Sequence, residues 1–151
     1  MPTDATAQRE AIMASDPNCI FCKIVKGEIP SVKLYEDGET LAFMDINPVY
    51  DGHCLVIPKA HSATVFEIEP EDFAAAARIA TNIANAVKTA VQCDGINLMQ
   101  ANGEGAGQSV GHVHLHIIPR RNGDGLLFNW EPKPGDRDRI AAVAERIRKF
   151  L

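Results

Sequence analysis

The sequence predicts a mixed α+β domain, on three observations: one long alanine-rich amphipathic stretch from Pro70 to Val91, several short β-prone runs separated by turn signals, and an apolar content of 46% against 23% charged residues. The length of 151 residues suits one domain, and no internal repeat is visible. The expected architecture is an antiparallel sheet of about five strands with one long helix packed on it and a short helix at the C-terminus.

Residues 1–17 are polar, alanine-rich and end in Asp-Pro, so they are read as a mobile tail ahead of a single domain over 18–151. Cys19 to Lys26 predicts a short helix, ended by Gly27 with Pro30 shortly after. Val32 to Glu36, the turn signal Glu36-Asp37-Gly38-Glu39, and the apolar Thr40 to Asp45 together predict a β-hairpin. Asn47-Pro48 breaks the chain, and His53 to Pro58 is a buried strand. Pro70 suits a first helical position, and Glu71 and Asp72 complement the positive helix end. Phe73, Ala76, Ala77, Ala80, Ile83, Ala84 and Val87 then form one apolar stripe on the long helix. Ile96 to Gln100 reads as a strand. Gly103, Gly105 and Gly107 make a flexible turn, and Val110 to Ile118 makes a further strand ending at Pro119. Asp138 to Phe150 is the C-terminal helix.

The net charge of −5 and the scattered basic residues disfavour a nucleic-acid polymer as partner, which calls for a basic face. A small anionic ligand stays compatible. No apolar run reaches the roughly 20 residues of a membrane span. Met1 to Asp16 lacks the features of a signal peptide, so a cytoplasmic location with reduced thiols is expected.

Three of the five histidines occupy the run His112-Val113-His114-Leu115-His116. On a strand this alternation puts the three imidazoles on one face, about 6.6 Å apart, with Val113, Leu115 and Ile117 facing the other side. Neutral imidazole is available near pH 7 and forms a labile bond to phosphorus, which splits one displacement into two. Its second nitrogen must donate to a fixed acceptor, and a backbone carbonyl would serve. The Gly-rich turn with Gln108 and Ser109 can offer N–H groups and a hydroxyl to phosphate. The competing reading is three ordinary surface histidines. Separately, Cys19 and Cys22 form a Cys-x-x-Cys pair, half of a tetrahedral zinc site, with His53, His61 and the triad as possible completing ligands. Two reduced core cysteines are the alternative. Cys54 and Cys93 read as ordinary packed residues.

The segment Gly107-Gln108-Ser109-Val110-Gly111-His112-Val113-His114-Leu115-His116-Ile117-Ile118 resembles the histidine-triad (HIT) family. The resemblance extends through Cys19-Ile20-Phe21-Cys22-Lys23-Ile24-Val25, Phe43-Met44-Asp45-Ile46, and Gly52-His53-Cys54-Leu55-Val56-Ile57-Pro58-Lys59, covering roughly residues 18–120. It implies a HIT-like fold and a purine nucleotide substrate whose α-phosphate is attacked by His114. His116, His53 and Ser109 would then contact phosphate or leaving group, and Gln108 and Asn102 would line the phosphate site. Asp45 would accept the ribose hydroxyls, and Phe21, Ile24, Phe43 and Ile46 would form the base pocket. Without the family, Phe43 and Ile46 read as core and Asp45 as a turn carboxylate. The resemblance also implies structural zinc held by Cys19, Cys22, His61 and His112. It implies a homodimer built on the long helix and the strand Ile96–Gln100.

The expected activity is hydrolysis of a nucleoside monophosphate joined to an amine or phosphate group, as in a nucleoside phosphoramidase. A dinucleoside polyphosphate hydrolase is the nearest alternative, for which Arg120 and Arg121 could steer polyphosphate. A catalytic zinc on His112, His114 and His116, and a nucleotide-binding adaptor with negligible turnover, are further alternatives. Trp130 is singled out without an assigned role.

Overall fold

The structure is a computed structural model that describes residues 13–127 and 133–151. Trp130 and most of the N-terminal tail lie outside the described residues. Among the described residues, helix α1 (Ile20–Val25) begins after Cys19, whose sulfur accepts from the Cys22 N–H. It ends at Lys26, ahead of Gly27 at φ +76°. The hairpin forms as expected, with β1 (Lys33–Glu36) antiparallel to β2 (Thr40–Met44). Asp37 closes its turn, the carboxylate accepting the Glu39 and Thr40 N–H groups at 2.8 and 2.7 Å.

With β3 (Cys54–Pro58), β4 (Gly95–Met99) and β5 (Leu115–Arg120), the strands form one five-stranded antiparallel sheet in the order β1-β2-β3-β5-β4. The long helix, α2 (Pro70–Val91), packs on one face of this sheet. Pro70 opens it with Glu71 and Asp72 in the first turn, and it stops where Gln92 turns left-handed at φ 52°. Ala76, Ile79, Ala80 and Val87 meet Ala42, Cys54, Val56, Leu115 and Ile117 in the main core. Ile79 belongs to this stripe in addition to the residues read from the sequence. The alternate residues Leu41, Phe43, Leu55 and Ile57 point to the opposite face, where α1 covers them with Cys19, Phe21 and Cys22. Strands β2 and β3 are thus covered on both sides, which is why they lack polar alternation.

Gly52, at φ +96°, leads into β3 where a Cβ would lie 2.9 Å from Val91 Cγ1 and 3.1 Å from Pro119 Cγ. Only glycine fits that turn against the end of α2. The C-terminal helix α3 (Arg137–Arg148) is capped by Asp136, whose side chain accepts from the Arg139 N–H, and it buries none of its residues.

One expectation is corrected. The strand predicted from Val110 to Ile118 starts only at Leu115. Upstream, the Val113 N–H donates to Ser62 O at 2.8 Å, and the His112 N–H donates to Val110 O at 2.9 Å. Backbone groups that a β-ladder would use are therefore taken by a neighbouring loop and by the segment itself. Val113, Leu115 and Ile117 are buried as expected, but the imidazoles divide between clusters, His112 with Cys19, Cys22 and His61, and His116 with Asp45 and His53. The end of the tail is likewise tied down, since the His61 N–H donates to Ala14 O at 2.8 Å and the Asp16 N–H to Cys22 Sγ.

Candidate functional site

The triad divides into two centres. His112 is fully buried, and its Nε2–H donates to Pro58 O at 2.7 Å. That bond leaves the Nδ1 lone pair facing Cys19 Sγ at 3.5 Å, Cys22 Sγ at 3.7 Å and His61 Nδ1 at 3.2 Å. Cys22 Sγ lies 3.3 Å from His61 Nδ1, and the four donor atoms all lie within 4.8 Å of one another. A tetrahedral ion with bonds of about 2.3 Å to sulfur and 2.0–2.1 Å to nitrogen sets S···N edges near 3.6 Å and N···N edges near 3.4 Å. The cluster matches these values. Its chemistry fits too: burial foremost pushes the Cys19 thiol up, a cost that a divalent cation offsets by stabilising the thiolate. The Cys22 N–H points at Cys19 Sγ and the Asp16 N–H at Cys22 Sγ, as thiolate ligands require. The residues could hold a metal of the zinc type. The reading of catalytic zinc on all three triad histidines is not supported, because His112 Nδ1 is turned to the cysteines.

His114 has the opposite arrangement. Its Nδ1–H donates to His112 O at 2.6 Å, so Nε2 carries the lone pair. The ring lines a cleft of about 220 Å³ on the α1 side of the sheet. His116 stands beside it, with ring centroids 4.8 Å apart. Behind His116, the Val49 N–H donates to His53 Nδ1 at 3.0 Å, which puts the proton of a neutral His53 on Nε2. That nitrogen lies 3.0 Å from His116 Nδ1 and 3.4 Å from Asp45 Oδ2. With Nδ1 of His116 accepting, its Nε2 is the protonated nitrogen. One ring is thereby set as a nucleophile and its neighbour as a donor.

Of the residues expected around the nucleotide, Phe21, Ile24, Phe43, Asp45 and Ile46 line this cleft, and so does Ser109. Phe21 makes edge contacts with Phe43, His112 and His114 at 5.4, 5.9 and 5.2 Å, so it links the two centres. Phe43 is both core and wall, whereas Ile46 is 84% exposed and is not core. Asp45 does hold a turn, accepting the Asn47 N–H, while remaining at the cleft. His53 is buried one layer behind.

Gln108 and Asn102 are not brought to the cleft. Gln108 Oε1 accepts from the Gly103 N–H and its Nε2 donates to Ala63 O and Val110 O, which ties the β4–β5 loop to itself and to the β3–α2 loop. Asn102 Oδ1 accepts the Val65 N–H at 2.8 Å and pairs with Gln100. The two arginines are also structural. Arg120 grips Asp124 through two nitrogens, and Arg121 donates to Val91 O and Gln92 O at the end of α2. Sequence reasoning missed Ile20, Ile29 and Leu55 in the lining. Leu55 was legible as the strand neighbour of Val56 on the opposite face. A larger depression lined by Glu39, Glu67, Glu69, Glu71 and Asp72 is acidic and unsuited to phosphate.

Burial is the main cause that pushes His116 down to about 4, reinforced by His114 and His53, and it also lowers His53 and His114. The rings are neutral at physiological pH. Between about 4 and the ordinary value of 6.5 the unfolded chain binds more protons than the fold at His116, so stability rises with pH there. The contribution is fully present above 6.5 and is lost as pH falls toward 4. Thermal midpoints measured from pH 7.5 to 4.5 are expected to fall, less steeply in His116→Gln. A variant slope equal to the parent's would remove His116 from this account.

Comparison with known proteins agrees with the fold and the triad. The HIT domain model matches residues 26–123, and the chain belongs to the HIT family. A crystal structure of a protein from Streptococcus mutans UA159 superimposes with a TM-score of 0.86 at 40% identity, covering 91% of this chain and 88% of that one. The Saccharomyces cerevisiae protein named adenosine 5'-monophosphoramidase HNT1 is 40% identical over 147 residues, which is 97% of this chain and 90% of the relative. A Zn-bound histidine triad family protein from Mycobacterium smegmatis is 39% identical with a TM-score of 0.70, covering 87% of this chain and 97% of that one.

Proposed function

We propose that this chain is a nucleotide hydrolase of the nucleoside phosphoramidase type, acting on a purine nucleoside monophosphate joined to an amine or a second phosphate group. The observation that carries the reading is the His114 ring, held by its Nδ1–H on His112 O with the Nε2 lone pair at the cleft. The name of the yeast relative supports the substrate class.

In the proposed reaction, His114 Nε2 attacks the α-phosphorus. A P–N bond forms, and the bond from phosphorus to the leaving nitrogen or oxygen breaks. The bound phosphate brings negative charge to rings kept neutral by burial, so the His53–His116 pair takes up one proton with the substrate. His116 Nε2 hands that proton to the leaving group. Water then attacks phosphorus and gives its proton to His116 Nε2, the bond to His114 breaks, and the nucleoside monophosphate departs. Asp45 accepts the ribose hydroxyls, Phe21, Ile24, Phe43 and Ile46 flank the base, and Ser109 contacts phosphate. Gln108 and Asn102 act on the phosphate site through the loops they hold.

Cys19, Cys22, His61 and His112 would hold structural zinc, whose role is to fasten α1 to the triad segment. Neither arginine supports the dinucleoside polyphosphate alternative, since both are engaged elsewhere. The division into a tail over 1–17 and one domain over 18–151 belongs to this proposal, as does a cytoplasmic location; among the described residues no helix is long and apolar enough to cross a membrane. So does a homodimer along β4, an edge strand on which Leu98 is 53% exposed. The test is mass spectrometry of protein quenched during turnover of adenosine phosphoramidate. One added nucleotidyl group on His114 is expected. Steady turnover with no such adduct under rapid acid-free quench would refute the covalent route.

A further inference from the structure

The cluster of Cys19, Cys22, His61 and His112 abuts the segment 14–16, and one residue of that segment reaches three of the four ligands. Asp16 meets them with three different groups. Its N–H donates to Cys22 Sγ at 3.4 Å, its carbonyl oxygen accepts the Cys19 N–H at 3.1 Å, and its Oδ2 faces His61 Nε2 at 4.0 Å. The carboxylate is itself held. Its Oδ1 accepts the Asn18 N–H at 2.8 Å, a local turn that keeps the second oxygen on the His61 side. The His61 backbone is tied to the same segment, its N–H donating to Ala14 O at 2.8 Å.

Both histidines of the cluster must keep the Nδ1 lone pair free, so each needs an acceptor for a proton on Nε2. For His112 that acceptor is Pro58 O at 2.7 Å. For His61 it is the Asp16 carboxylate, which when ionised can only accept and so favours the proton on Nε2. A negative charge beside that N–H also raises the basicity of the ligating nitrogen and fixes the ring. At 4.0 Å the contact is one of charge with dipole, not a closed hydrogen bond. The Asp16 side chain is 43% exposed, so salt weakens the contact.

We propose that Asp16 is the positioning residue of this cluster: its carboxylate selects the metal-binding tautomer of His61 and so raises the affinity for a zinc-type cation. The inference rests on the metal reading above and adds to it a residue that ligates nothing. The backbone groups of Asp16 serve the two cysteines and survive a change of side chain, so the carboxylate can be tested alone.

The test is zinc competition between the full chain and a chromophoric chelator, with cobalt(II) absorbance as a second reading. Asp16→Asn keeps an oxygen for the Asn18 N–H and turns an amide donor to His61, which favours the wrong tautomer. It is expected to weaken zinc binding about tenfold, the lower end for a partner one layer behind a ligand. The difference from the parent is expected to narrow in about 1 M salt. On a His61→Ala background, which leaves Cys19, Cys22 and His112, adding Asp16→Asn is expected to change affinity no further. Thiolate-to-cobalt charge transfer in each variant reports that the cysteines still bind. Equal affinity in parent and Asp16→Asn would overturn the role of Asp16. So would a tenfold loss that persists on the His61→Ala background or that salt leaves untouched, since either places the effect in the local turn. A parent chain that binds no zinc would overturn the cluster itself, and the inference with it.

Discussion

Replacing His114 by asparagine is expected to lower the turnover of adenosine phosphoramidate by about 10⁴-fold or more, the scale seen when a nucleophile is removed from a preorganised site, while adenosine 5'-monophosphate binds with little change. The two effects separate because the groups proposed to hold the base and ribose reach the cleft from α1 and from the β2 end, not through the His114 ring. Asparagine keeps a donor near His112 O, so the segment loses its attacking lone pair without losing that bond. Single-turnover kinetics and calorimetric titration give the two numbers. A variant that turns over within tenfold of the parent would place the nucleophile elsewhere. A variant that loses nucleotide binding and turnover together would show that the ring positions substrate. The adaptor reading expects no turnover in the parent chain, so the parent's activity decides against it first.

Stripping the metal from the Cys19/Cys22/His61/His112 cluster is expected to cost stability. An ion present at a thousandfold its dissociation constant adds about 4 kcal/mol to the folded state. For a chain of this size each kcal/mol moves the thermal midpoint by roughly 2–4 °C, so chelation should lower it by about 8–16 °C. Cys22→Ser should reproduce most of that loss, because Cys22 Sγ approaches both His61 Nδ1 and His112 Nδ1. Activity measured well below the new midpoint should survive in part, since His114 Nε2 lies outside the cluster. Scanning calorimetry with metal analysis before and after chelation reads the outcome. An unchanged midpoint after complete removal would refute the stabilising role, and instant loss of all turnover in still-folded protein would point to a cation in the reaction itself.

Much of this arrangement was legible in the sequence because it depends on local periodicity. The stripe through Phe73 and Val87 fixes one face of α2, and the apolar runs of β2 and β3 mark buried strands, each without reference to the rest of the chain. The pairing of Cys19 and Cys22 with His61 and His112 came instead from likeness to a family, since spacing alone left several histidines open. What could not be read depends on distant backbone groups. Nothing in Val110 to His114 announces that Ser62 O will take the Val113 N–H and withdraw the segment from the sheet. Likeness to the family implies that Gln108 and Asn102 line the phosphate site, yet the loops they close offer them carbonyls and N–H groups at close range. Arg120 and Arg121 follow the same rule, because an acidic turn at Asp124 and the exposed carbonyls ending α2 compete for them.

The peptide unit of His112 has a consequence for how damage would spread. Its side chain faces the cysteines, and its carbonyl oxygen sets the orientation of the ring two residues on. Oxidation of a thiol near the amino terminus that shifts the His112 peptide would therefore reach the His114 ring through its bond to His112 O, with no chemical modification of any residue proposed to touch the nucleotide.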